Sequence, residues 1–232
     1  MSEGDQRPDT DEAARAGRDA REMAAYALGR VLALSDGVFA IAMTLLVLGI
    51  PVPKVPDHAS PAQVLGALGD IGGSLFGFTL SFLLVGAIWV EHRQLFSTIR
   101  RAGAGSAWMN IIVLLLVCLV PFSTSFYTKT DSGVVGACVY YGTLLVAYGA
   151  LLALDVQANA ADARSGAPPQ PAWGRRSHTA ATVVGFGAAI AVSVIHVEWA
   201  TLAWLLAVVA NFLVEPLNRM LRRDLKPDAP RR

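Results

Sequence analysis

The stretch that decides the fold runs from Arg30 to Ile50, RVLALSDGVFAIAMTLLVLGI. It is apolar for long enough to cross about 30 Å of hydrocarbon as a helix of roughly 20 residues. Yet it starts on an arginine and carries Asp36 a turn and a half inside. An unpaired carboxylate at that depth costs about 2.5 to 3.5 kcal/mol on insertion scales, so Asp36 demands a partner. Arg30 lies six positions away, and at about 100° per residue the two side chains diverge by roughly 120°. The partner therefore has to come from another helix.

Outward from this stretch the chain continues in the same manner. Of its 232 residues 54% are hydrophobic and 16% charged, too few charges to solvate a globule of this size. Apolar segments of spanning length fall at 31–50, 71–91, 107–128, 133–154, 178–196 and 199–215. Six membrane helices are expected, the last two forming a tight hairpin across His196 to Trp199. Backbone amides in lipid are satisfied within a helix, so the class is all-α integral membrane. The expected division is an N-terminal segment at 1–29, a six-helix membrane domain at 30–217 and a basic tail at 218–232.

Charge placement sets the orientation. With the N-terminus cytoplasmic, 17 of the 19 Lys and Arg residues fall inside and only Lys54 and Lys129 outside, so both termini are expected in the cytoplasm. No apolar signal core precedes Arg30. The alanine-rich stretch from Asp11 to Arg30 suits a helix leading into the first span, whereas residues 1–10 and the tail KPDAPRR read as disordered. PVPKVPDHASPAQ reads as an external loop, TKTDSG as an external turn and RSGAPPQPAWGRR as an internal loop.

Few residues carry chemistry. Cys118 and Cys138 sit inside apolar spans without metal spacing, and no nucleophile–base pair or phosphate loop is present, which argues against an enzyme. No cofactor or resident metal is expected, and the basic tail suits anionic lipid rather than nucleic acid. The polar residues that stand out lie in the first three spans. Ser81, Val85 and His92 share one face of the second, with Trp89 a turn before His92, and Asn110 stands a turn inside the third. Arg30, Ser35, Asp36, Trp89, His92 and Asn110 all fall in the cytoplasmic third of the bilayer, with Ser81 deeper on the His92 face. Two readings of this set stand open: a structural network fixing helix 1 against its neighbours, or a proton or ion relay through Asp36 and His92.

The opposite side of helix 1 is apolar. Leu34, Leu45 and Leu48 lie within about 40° of Ile41 and Thr44 within about 60°, whereas Asp36 lies about 140° away. A helix held by its polar side turns Ile41, Leu45 and Leu48 toward lipid or toward a symmetry axis.

The run Arg30-x-x-x-Leu34-Ser35-Asp36-Gly37-Val38-Phe39-Ala40-Ile41-Ala42-x-Thr44-Leu45-Leu46-Val47-Leu48 closely resembles the first-helix signature of the transmembrane protein 175 family, lysosomal potassium channels and their prokaryotic relatives. SFLLVGAIWVEHRQLF in the second span and Asn110 with Pro121-Phe122 in the third extend the likeness over the first half of the chain. The family's usual Phe-Ser-Asp is here Leu34-Ser35-Asp36, and its frequent His-His is His92-Arg93. The resemblance implies a potassium-permeable channel without a carbonyl filter, assembled as a homotetramer from single-repeat subunits, in a plasma membrane. It also implies a pore lined by helix 1, with the hydrophobic constriction falling to Ile41, Leu45 and Leu48 and the pore lining to Thr44 and Leu34. A cation-coupled secondary transporter using Asp36 and His92 is the competing function, although the paired broken helices that would point to one are missing from the sequence.

Overall fold

The computed structural model describes residues 7–99, 104–129, 133–164 and 173–196, together with Trp199 and Leu202. Every regular element among them is helical: α1 (Arg7–Leu45), a 3-10 turn (Leu46–Gly49), α2 (Pro61–Asp70), α3 (Gly72–Thr98), α4 (Ala104–Lys129), α5 (Val134–Arg164) and α6 (Trp173–Ile195). Five helical stretches are long and apolar enough to cross a membrane: Ala14–Gly49, Gly72–Thr98, Gly105–Lys129, Val134–Ala161 and Arg176–Ile195. The sixth expected span, 199–215, lies outside the described residues apart from Trp199 and Leu202, and so does the tail.

The first helix is longer than the span it contains. It starts at Arg7 with Pro8 in its first turn, where the missing amide hydrogen does no harm, so residues 7–10 are helix rather than the disordered segment expected. Glu12/Arg15, Arg15/Asp19 and Arg18/Glu22 stand at the spacings that support a solvated helix, and the chain passes without a break from that polar half into the apolar one. It stops where it must. Pro51 bars the residue before it from the helical region, and Ile50 is extended at φ −80°, ψ 121°.

The loop expected after the first span is also shorter than the sequence suggested. Ser60 and Gln63 form a reciprocal capping box, with the Ser60 amide donating to Gln63 Oε1 at 2.8 Å, and Pro61 occupies the first turn. Helix α2 begins there, because cap and proline together satisfy the amides that a helix start leaves open. Helices α3 and α5 in turn run past the apolar windows that announced them, to Thr98 and Arg164. A helix leaving hydrocarbon has no physical reason to end at the lipid boundary when its next residues are good helix formers.

Helix α1 packs on α3 and α4, α4 on α5, and α5 on α6. Phe39 and Ala42 of α1 and Leu46 of the 3-10 turn belong to one buried core with Val85 and Ile88 of α3 and Val113, Val117 and Val120 of α4, and Leu28, Val31, Leu32, Val38 and Met43 of α1 pack against it. Tyr127, Tyr140, Tyr141, Tyr148 and Phe186 form a run of ring contacts through α4, α5 and α6. Small residues set how closely helices approach. A Cβ placed on Gly77 of α3 would fall 2.5 Å from Thr128 Cγ2 of α4, so only glycine fits there.

Candidate functional site

The polar residues of the first three spans resolve into two clusters and one outlier. In the first cluster Ser35 sits on the buried side of α1 and donates its hydroxyl to the Val31 carbonyl at 2.9 Å. That leaves Ser35 Oγ as an acceptor, and Asn110 Nδ2 of α4 donates to it at 3.0 Å. The orientation of the Asn110 amide is thereby set, and its Oδ1 faces His92 Nε2 of α3 at 2.7 Å. His92 is therefore protonated on Nε2. Its Nδ1 is buried and has no hydrogen-bond partner among the described residues, and the ring lies between Phe39 and Phe96, at centroid distances of 5.4 and 4.5 Å.

Asp36 takes its partner from the same helix as His92. Trp89 Nε1 donates to Asp36 Oδ1 at 2.7 Å, a charge-assisted bond that meets the demand raised by a carboxylate at this depth. The indole is covered in turn by Arg93, whose guanidinium carbon lies 5.2 Å from the ring centroid. Two consecutive residues of α1, Ser35 and Asp36, thus hold it to α4 and α3. Arg30 is exposed and stands outside this set among the described residues.

Ser81 belongs elsewhere. It lies three turns of α3 away from His92, where its hydroxyl is 2.9 Å from Tyr140 OH of α5 and accepts from Thr124 Oγ1 of α4 at 2.8 Å. All three are buried, and they join α3, α4 and α5 close to Pro121, which lacks the amide that the helix ladder of α4 would use. This cluster braces the bundle rather than α1.

The apolar side of α1 is uncovered. Leu34 is 56% exposed, Ile41 60%, Leu45 45% and Leu48 74%, whereas Ser35, Phe39, Ala42 and Leu46 between them are at most 2% exposed. Thr44 lies on the uncovered side, with its hydroxyl hydrogen spent on the Ile41 carbonyl at 2.8 Å. The oxygen lone pairs of Thr44 therefore remain available to a cation or to water on that side. A helix held along one face by the Asn110–Ser35 and Trp89–Asp36 hydrogen bonds presents an apolar strip along the other.

A second polar group, not singled out in the sequence, joins α3 to α5 and α6. Glu91 and Asp155 are 9% and 4% exposed. Glu91 Oε1 lies 3.0 Å from His178 Nδ1, and Glu91 Oε2 accepts from Thr179 Oγ1 at 2.8 Å. Asp155 accepts from Arg176 Nε at 2.6 Å and from Asn159 Nδ2 at 2.9 Å. No group of three or more metal-ligating side chains occurs among the described residues.

Comparison with known proteins bears on the same helices. Residues 30–121 match the family model described as endosomal/lysosomal potassium channel TMEM175. A potassium channel from Streptomyces collinus is 40% identical over 122 residues, which cover 51% of this chain and 58% of that protein. A potassium channel from Chamaesiphon minutus is 38% identical over 122 residues, covering 50% of this chain and 59% of the other. The Bos taurus protein named endosomal/lysosomal proton channel TMEM175 is 38% identical over 108 residues, 22% of its length. The chain thus spans less than two thirds of the length of these relatives in sequence. The structural likeness reaches further: the crystal structure of a lysosomal potassium-selective channel TMEM175 homologue from Chamaesiphon minutus superposes with a TM-score of 0.67 at 29% identity, over 79% of this chain and 96% of that one.

Proposed function

We propose, from the match of residues 30–121 to the TMEM175 family model, that this chain belongs to that family and forms a potassium-permeable cation channel in which α1 lines the pore. Four copies surround a central axis in a prokaryotic plasma membrane with both termini cytoplasmic. The observation that carries this reading is the split of α1 into a hydrogen-bonded face and an uncovered one holding Leu34, Ile41, Leu45 and Leu48. Exposure alone is shared with Ile111, Leu115 and Leu119 of α4, which suit lipid. What distinguishes α1 is that the family signature and the polar anchor both lie on it.

Four Ile41 side chains around an axis close a pore by excluding water, and a small widening or rotation rewets it. Leu45 and Leu48 extend the narrow zone by about two turns toward the external side. Such a ring offers no oxygens to replace the hydration shell of an ion, so preference for potassium over sodium is modest and rests on partial dehydration, aided by the Thr44 hydroxyl next to Ile41. In this reading the Ser35 and Asp36 bonds serve to keep α1 in register, and no enzymatic step or cofactor is involved. Potassium flux into liposomes carrying the purified protein tests it. Wild type conducts above empty vesicles and Ile41→Trp, which fills the narrowing, abolishes the flux; flux that Ile41→Trp leaves unchanged refutes the assignment of the constriction.

A further inference from the structure

Glu91 and His92 are neighbours on α3, and about 100° of helix separates the directions they face. His92 faces α4 and, through Asn110, Ser35 of α1. Glu91 faces α6, where it meets His178 and Thr179. One turn of α3, from Trp89 to His92, therefore carries both the bonds that hold α1 and the bonds that hold the start of α6. We propose that His178 and Glu91 form a proton-sensitive clasp through which α6 sets the position of α1, so that cytoplasmic pH adjusts conduction. This rests on the reading of α1 as the pore helix.

The geometry suits such a device. The His178 side chain is 25% exposed, so protons reach it, whereas that of Glu91 is only 11% exposed. A carboxylate bonded to an imidazolium is held about twice as strongly as one bonded to a neutral imidazole, and more so away from water. Imidazole is the side chain that changes charge between about pH 5 and 8. The other charged and titratable groups around the clasp, among the described residues, come from each element packed there. Helix α5 contributes Asp155, which lines the same small cavity as Glu91 and Thr179, and buried Tyr148. Helix α6 contributes Arg176, which is paired with Asp155 and so offsets it. From α3 itself come His92, turned toward α4, and exposed Arg93, drawn over Trp89. None of these displaces His178 from Glu91.

The clasp is tightest with His178 protonated and loosens as pH rises. Potassium flux through reconstituted wild type should change about fivefold between about pH 5.5 and 8, matching the difference between a charge-assisted and a neutral bond. His178→Gln keeps a neutral donor at every pH, so its flux should be flat and equal to that of wild type at the alkaline end. Glu91→Gln should be flat as well. A His178→Gln profile that follows wild type overturns the proposal. Thermal unfolding in detergent reads the clasp without any conduction: the melting temperature of wild type should exceed that of His178→Gln by more at about pH 6 than at about pH 8. An equal gap at both overturns the clasp, whereas a wild type that carries no potassium at any pH while showing the unequal gap removes the channel reading instead.

Discussion

Asn110→Leu is the substitution that weighs the anchor of α1 most cleanly. Leucine has the same branched arrangement of side-chain heavy atoms as asparagine, so no cavity opens at a site that is 1% exposed. Ser35 loses only an incoming bond, because its hydroxyl still donates to the Val31 carbonyl. His92 loses the partner that its Nε2 hydrogen has among the described residues. An average interhelical hydrogen bond in a membrane bundle contributes about 0.6 kcal/mol, but a buried donor left without a partner costs about 1 to 3 kcal/mol. The second figure governs here, since the ring is 0% exposed and lies between Phe39 and Phe96. At about 2 kcal/mol the melting temperature should fall by about 4 to 8 °C. Adding His92→Phe removes the orphaned donor while keeping a ring between the same two phenylalanines, so the double variant should regain at least half of the loss. Unfolding in detergent, followed by tryptophan fluorescence, measures all four corners of the cycle. An Asn110→Leu protein within about 0.5 kcal/mol of wild type, or a double variant no better than the single, would falsify the account of this network.

Two further substitutions probe neighbouring contacts. Trp89→Phe leaves Asp36 without the indole donor and should destabilise by about 1.5 to 3 kcal/mol, the range for a bond to a charged group; in that background Asp36→Asn should restore part of the loss, read in thermal unfolding. Gly77→Ala drives a methyl group onto Thr128 Cγ2 and should cost about 1 to 3 kcal/mol in thermal unfolding; Thr128→Ser removes that methyl and should rescue it, which a loss of helix flexibility alone would not allow.

How much of this was legible beforehand depends on what each residue reports. The bundle was, because membrane helices announce themselves by length and apolarity, and Asp36 was marked as needing a partner from another helix by its depth alone. Matching depth also drew Ser35, Trp89, His92 and Asn110 together. Depth does not fix which groups bond. Ser81 shares the His92 face, yet it lies three turns deeper and joins Thr124 and Tyr140, neither of which stands out in an apolar run. Arg30 shares the right depth but is exposed. Glu91, Asp155 and His178 passed unnoticed because each sits at the end of a span, where charged residues are ordinary. Their signal was topological: with alternating spans, 91, 155 and 178 all end or begin on one side of the membrane, and only packing of α3 against α5 and α6 brings them into contact. The starts of α1 and α2 lay in capping chemistry, Pro8 in the one and Ser60 with Gln63 in the other, rather than in hydropathy.

The central claim is that four copies of Ile41 face one another across the ion path. Placing a thiol there tests it directly: Ile41→Cys, in a chain whose Cys118 and Cys138 are replaced by alanine, puts four soft ligands around the narrowest point. Cadmium ions added to potassium-conducting liposomes of this variant should block the flux and leave the cysteine-free protein untouched. Flux that continues unchanged through Ile41→Cys at saturating cadmium would contradict the claim, because a ring of thiols closing on one axis binds the ion and a side chain facing lipid does not.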